Sequence, residues 1–159
     1  MFDSSGGVSS LRMACRLFFV PMKYRFYEFS PVIYPRKLWI VRGGTLKDIK
    51  SLFLTRKGGE IEIGDDGIST MRAWTCNVER KSDRKYGVVM WFPHDMAVHI
   101  IAHEATHAAL YICGEIGMTF DSDDNEQLAY LLQWVVRCAD AVRLGKVKPL
   151  ELEDITKKN

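Results

Sequence analysis

His103-Glu104-Ala105-Thr106-His107 sets two imidazoles four residues apart with a carboxylate between them. In a helix, residues at i and i+4 share one face, so both rings can bind the same divalent cation. Zinc suits imidazole and carboxylate ligands, and a zinc with one open position acidifies the water that fills it. Glu104 would stand beside that position, where a carboxylate can take the water's proton as general base. The chemistry these residue types could perform is metal-assisted hydrolysis.

The surrounding stretch, Met96 to Cys113, is apolar nearly all round, which predicts a helix enclosed in a core. Asp95, after Pro93, is the expected N-cap and Gly114 the expected stop. Three ionisable side chains in the middle of such a helix are costly to bury unpaired, and a metal accounts for all three. A membrane-spanning helix is the competing reading of this stretch, and the same ionisable residues argue against it.

A hydrolytic zinc site needs a third protein ligand. Glu126 is the candidate, in the run Asp123-Asp124-Asn125-Glu126-Gln127-Leu128-Ala129-Tyr130. Eighteen residues lie between His107 and Glu126, enough for a helix end, a turn at Gly114 to Gly117, a loop and the start of a second packed helix. HExxH, eighteen residues, then Asn-Glu-x-x-Ala resembles the zinc signature of the gluzincin metallopeptidases, nearest their aminopeptidase branch. His103, Glu104, His107, Asn125, Glu126 and Ala129 carry the resemblance, which covers roughly residues 95–140. It implies a minimal zincin-like fold, one Zn2+ per chain on His103, His107 and Glu126, Glu104 as general base, and a peptide or protein substrate.

The chain also departs from that group. No Gly-x-Met-Glu-Asn exopeptidase motif precedes the histidines, so amino-terminal trimming does not carry over. No tyrosine follows Tyr130, although the aminopeptidases place their transition-state tyrosine well downstream of the glutamate. Thermolysin-like enzymes have an aspartate four residues after the glutamate, and here that position is Tyr130. A fast enzyme requires a donor for the tetrahedral oxyanion, and Tyr130, His99 and Tyr111 are the candidates.

Each of these residues has a plainer reading. Tyr130, one turn after Glu126, could contact a substrate or simply pack with its hydroxyl in water. Glu126 could close a capping box begun by Asp123. His103 and His107 could be hydrogen-bonded core histidines, and His99 is most simply a partly buried one. Gln133, Arg137 and Asp140 read as a solvated stripe.

The remaining sequence sets the bounds. At 159 residues, 47% apolar and 26% charged, the chain suits one globular domain. That domain is placed at 22–150, after a disordered leader at 1–21 and before a charged tail at 151–159. A formal charge of +2 gives no sign of a nucleic-acid or membrane partner. Cys15, Cys76, Cys113 and Cys138 show no paired spacing and suit reduced thiols in a cytoplasmic protein, although Cys113 and Cys138 lie on the two site helices, where a disulfide stays open. Leu17 to Val20 is too short for a signal-peptide core.

Ahead of the site the pattern reads as strands at Tyr24–Phe29 and Lys37–Val41, and a helix over Thr45–Leu54 capped by Thr45. A short strand at Glu60–Ile63 and a hairpin of Met71–Arg80 with Tyr86–Phe92 follow, closed by an exposed charged tip. The expected fold is α+β and zincin-like: a small, mainly antiparallel sheet, one covering helix, then two packed zinc-site helices. The Gly87–Pro93 strand would border the cleft and pair with an extended substrate. Trp91 or Phe92 would line a side-chain pocket there or, more simply, pack in the core. The function expected is a zinc-dependent peptidase. The alternative is a zincin-fold metal-binding regulatory or assembly protein with little or no hydrolysis, and a metal-free structural protein is the third class.

Overall fold

Tyr86 to Phe92 forms a strand, β5, whose residues from Gly87 onward are all buried. The computed structural model describes residues 24–63, 71–119, 123–151 and 155. Before β5 come β1 (Tyr24–Phe29), β2 (Lys37–Gly43), helix α1 (Leu46–Leu52), β3 (Phe53–Thr55) and β4 (Trp74–Arg80). After it come helices α2 (Val98–Glu115) and α3 (Glu126–Arg143). The strands form one sheet in the order β1-β2-β5-β4-β3. β2 and β5 are parallel and the other three pairings antiparallel, so the architecture is α+β with a mixed sheet. A parallel pair requires a crossover, which α1, β3 and β4 supply.

The continuous apolar run of β5 is explained by burial on both faces. Val88, Met90 and Phe92 join Leu38, Ile40 and the buried sides of α2 and α3 in one core. Val89 and Trp91 face the other way, with Trp39, Val41, Phe53, Ile49 of α1 and Ile61. Each large side chain so enclosed contributes about 1.5–3 kcal/mol. Gly87 marks where β2 and β5 come closest: a Cβ there would lie 2.3 Å from the Lys37 carbonyl oxygen.

Several expectations shift. The helix after Thr45 keeps its cap, with a full capping box between Thr45 and Asp48. It ends at Leu52, because Phe53 and Leu54 leave it to pair with Arg80 and Glu79 of β4. Sheet pairing outside the helix overrides the local 3.6-residue period. Glu60–Ile63 forms no strand, and Ile61 is buried as a single anchor. The hairpin of β4 and β5 forms, with Trp74 opposite Trp91 and Glu79 opposite Tyr86. Met71 to Ala73 stay outside it. Trp91 and Phe92 both lie in the core, on opposite faces of the sheet. Ile155 is also buried, although the segment around it was expected to be a charged tail. The leader at 1–21 lies outside the described residues. No helix among the described residues is long and apolar enough to cross a membrane.

The hairpin tip is more than a solvated charge run. Arg80 binds both oxygens of Asp83, with Nε at 2.8 Å and Nη2 at 2.5 Å, and its Nη1 lies 2.6 Å from Glu28 of β1. Its guanidinium carbon lies 5.2 Å from the centroid of the Trp39 ring, whose Nε1 donates to Glu28 at 3.0 Å. The bond from Arg80, joined by Lys85, holds the Asp83 carboxyl well below the usual carboxylate range, against burial. Burial would raise Glu28, but hydrogen bonds from Trp39 and Lys37 and the charge of Arg80 bring it down. Both carboxylates therefore stabilise the fold above their unfolded pKa of about 4, and that contribution fades as the pH falls below it. Asp83→Asn, which leaves buried Arg80 short of charge, should cost about 3 kcal/mol in urea unfolding at pH 7. The gap from wild type should narrow steadily below about pH 4; a gap independent of pH would show that Asp83 acts by packing alone.

Candidate metal centre

α2 carries the two histidines, and its ends differ from the sequence expectation. Ala97, not Asp95, is the N-cap, and it makes no side-chain capping bond; Asp95 faces Arg72 at 3.9 Å instead. The helix runs through Gly114, and Gly117 terminates it with φ of 68°. The Met118 N–H then reaches back to the Cys113 carbonyl at 2.9 Å, the bond of a Schellman cap.

The helix is also two-faced rather than apolar all round. Ile101, Ala105, Ala108, Ala109 and Ile112 are buried against the sheet and α3, where Leu131, Val135 and Ala139 meet them. The alanines explain the close packing of the two helices. His99, His103, His107 and Tyr111, spaced four apart, all lie on the exposed side. His99 is thus exposed rather than partly buried, and His103 and His107 are not core histidines.

His103 and His107 turn their rings toward each other. Their Nε2 atoms are 3.2 Å apart, with ring centroids at 4.8 Å and planes at 77°. Two imidazole nitrogens sharing a tetrahedral zinc lie about 3.3 Å apart, given bonds of about 2.05 Å. The spacing of the two nitrogens matches that distance.

Glu104 alone of the three ionisable residues is buried, at 7% exposure. Its Oε2 accepts a hydrogen bond from the Thr75 hydroxyl at 2.5 Å, which pins the carboxylate between α2 and β4. Thr75 was not singled out from sequence. Its signal is the alternation in β4, where Thr75, Asn77 and Glu79 are polar and Trp74, Cys76 and Val78 are not. Such a pattern ordinarily marks a solvated face; here Thr75 and Asn77 bond to Glu104 and Glu115 of α2.

Glu126 is the first residue of α3 and is exposed. Asn125 is the N-cap, with no side-chain capping bond, so Glu126 closes no capping box from Asp123. Among the described residues no three His, Cys, Asp or Glu side chains gather to hold a metal. The structure brings His103 and His107 together, turns the Glu104 carboxylate to Thr75, and does not bring Glu126 to the histidines. Tyr130 is 67% exposed on α3. Tyr111 lies one turn beyond His107, and burial, with the neighbouring Glu104 carboxylate, pushes its phenol up, so it stays protonated at neutral pH. Gln133 and Arg137 are exposed and Asp140 pairs with Arg143, as a solvated stripe would.

α2 lies over both β4 and β5, but among the described residues only β4 offers an unpaired stretch beside it. β5 is paired on both sides, by β2 and β4, and has no free edge for a substrate. Among the described residues β3 covers only Val78 to Arg80, so Trp74 to Asn77 present an open edge beside Glu104. Cys76, Cys113 and Cys138 are free thiols, which settles the question of a Cys113–Cys138 bridge; Cys15 lies outside the described residues. Burial pushes the Cys138 thiol up to about 12.

Comparisons with family models, with curated proteins and with solved structures found no match for this chain. The functional reading therefore rests on the residues themselves.

Thr75→Val keeps the shape and removes the donor from a buried carboxylate. Chemical unfolding should show a loss of about 1–3 kcal/mol. Thr75→Ser should restore most of it; a Ser variant no better than Val would mean that the methyl group, not the hydroxyl, is what matters.

Proposed function

We propose that this chain is a zinc-dependent peptidase that hydrolyses a peptide bond, with Glu104 as general base. The observation that carries the reading is the convergence of the His103 and His107 Nε2 atoms to 3.2 Å, one residue from a buried carboxylate. His103 and His107 would hold the metal, and Glu126, on the helix packed against theirs, would supply the third ligand. The bound zinc would provide Lewis acidity, lowering the pKa of water and polarising the scissile carbonyl. A zincin-like fold is part of the same proposal: a sheet followed by an HExxH helix and a second helix packed on it.

The roles of the other residues follow from position. Glu104 takes the proton of the attacking water and returns it to the leaving nitrogen. The Thr75 hydroxyl holds Oε2 of Glu104, and the carboxylate has a second oxygen with which to act. Tyr111, kept protonated, is the donor best placed on α2 to stabilise the oxyanion, and Tyr130 on α3 is the other candidate. The open backbone of Trp74 to Asn77 would take an extended peptide by adding a strand, which favours an unfolded segment of a protein as substrate.

A second reading has its own support. Glu126 stands apart from the histidines and Glu104 already has a partner in Thr75, an arrangement that also suits a metal-binding regulatory or assembly protein. Elemental analysis and a peptide-library assay on the same preparations separate the two. The peptidase reading expects about one zinc per chain, lost or much weakened in His103→Ala and Glu126→Ala. It also expects Glu104→Gln to keep the metal and lose activity by roughly 10²-fold or more. Zinc held by wild type with no cleavage, and nothing changed by Glu104→Gln, would favour the regulatory reading. Failure of wild type to retain zinc would sink both.

A further inference from the structure

At the end of the sheet where β1 turns into β2, a second cleft opens away from the histidines. Ser30, Tyr34, Arg36, Lys37, Lys85 and Tyr86 line it, and its volume is about 390 Å³. That is within the range of small-ligand pockets, about 300–1,000 Å³. It neighbours Glu115, eight residues past His107, or about 12 Å further along α2. The two sites are separate.

Three of the lining side chains are cations, two are tyrosines, and among the described residues no carboxylate lines the cleft. The carboxylates stand behind the wall, and each is shared. Glu28 lies 2.9 Å from Lys37 and also serves Arg80; Asp83 lies 2.9 Å from Lys85 and also serves Arg80. Glu115 lies 3.3 Å from Arg36 and 2.9 Å from Arg56. Five cations on three carboxylates leave two positive charges uncompensated in this network. The chain as a whole is formally only +2, so this is a local concentration.

Donor geometry adds to the charge. The Nε of Arg36 is buried and finds no hydrogen-bond acceptor among the described residues. Its guanidinium carbon lies 5.9 Å from the centroid of the Tyr86 ring, which helps to fix the plane of the fork. Lys37 Nζ donates to the Ser30 hydroxyl at 2.6 Å, so the hydroxyl's own proton is available to a ligand.

We propose that this cleft binds a phosphate group. A phosphate monoester carries about −1.5 to −2 at pH 7 with three acceptor oxygens, which matches the excess of two charges and the set of N–H and O–H donors. A carboxylate offers half that charge. The phosphate can arrive on a soluble ligand or as a lipid headgroup, and the loop that carries Tyr34 also bears Val32 and Ile33, 100% and 77% exposed. Two bare aliphatic side chains beside a basic cleft are what insertion below a headgroup would use.

The test titrates the full chain calorimetrically with inorganic pyrophosphate at fixed ionic strength. Wild type is compared with Lys37→Gln/Lys85→Gln and with His103→Asn/His107→Asn. Saturable binding is expected in wild type and unchanged in the histidine variant, and weakened roughly tenfold or more in the lysine variant. Lys85→Gln alone, at a half-exposed side chain, should weaken it several-fold and guards against misfolding of the double variant. In parallel, the chain is sedimented with vesicles of phosphatidylglycerol and of phosphatidylcholine. Binding to the anionic vesicles that is lost in Val32→Ser/Ile33→Ser, with pyrophosphate binding intact, assigns the phosphate to a lipid headgroup. Pyrophosphate binding without vesicle binding assigns it to a soluble ligand. No saturable binding to either probe, binding undiminished in the folded lysine variants, or binding abolished in the histidine variant overturns the proposal. None of these outcomes depends on whether the chain is a peptidase.

Discussion

The position of β5 governs the rest of the molecule. Paired with β2 on one side and β4 on the other, and buried on both faces from Gly87 to Phe92, it allows packing layers above and below it. One layer holds α2 and α3, and the other holds α1 with Phe53, Ile61 and Ile155. Enclosing both faces removes apolar area from water twice over for one backbone ordered, which is why the whole architecture is built outward from this strand. The parallel join of β2 to β5 follows, because only a long crossover can bring the chain back in the same direction.

The candidate metal centre depends on that arrangement through a single contact. α2 lies on the sheet by its alanine and isoleucine face, which leaves the His99, His103, His107 and Tyr111 side outward. Glu104 falls at the margin between the two, and β4 offers it the Thr75 hydroxyl. A buried carboxylate without such a donor would be costly, so Thr75 is a condition for the fold. Among the described residues, the strand that supports Glu104 is also the one whose edge is open beside it. In the proposed peptidase, support of the base and access for an extended peptide would be two sides of one strand.

Charge is handled in two ways elsewhere in the molecule. Around Arg80 it is satisfied nearly completely, by Asp83, Glu28 and the face of Trp39. Beside that cluster, Lys37 and Lys85 lean on Glu28 and Asp83 again, and Arg36 shares Glu115 with Arg56, so charge is left to spare. A network that stabilises the hairpin therefore leaves an electropositive cleft at its margin, and this asymmetry separates a structural ion cluster from a binding surface.

Local patterns in the sequence determined the strands β1, β2, β4 and β5, the Thr45 cap, and the pairing of His103 with His107. Alternation, capping chemistry and the i, i+4 spacing act over a few residues and hold wherever the element sits. The end of α1 at Leu52, the strand at Phe53–Thr55, the buried Ile61 and the choice of β4 rather than β5 as the edge beside the site were decided by tertiary structure. Each depends on which strands become neighbours, and pairing between residues distant in sequence leaves no mark on the local period. Thr75 was hidden for the same reason: a polar residue in an alternating strand reads as solvent-facing until a helix with a carboxylate is laid over it. The clustering of Arg36, Lys37 and Lys85 at one cleft, from both ends of a long crossover, was likewise fixed only when the parallel pairing of β2 and β5 brought their starting ends together.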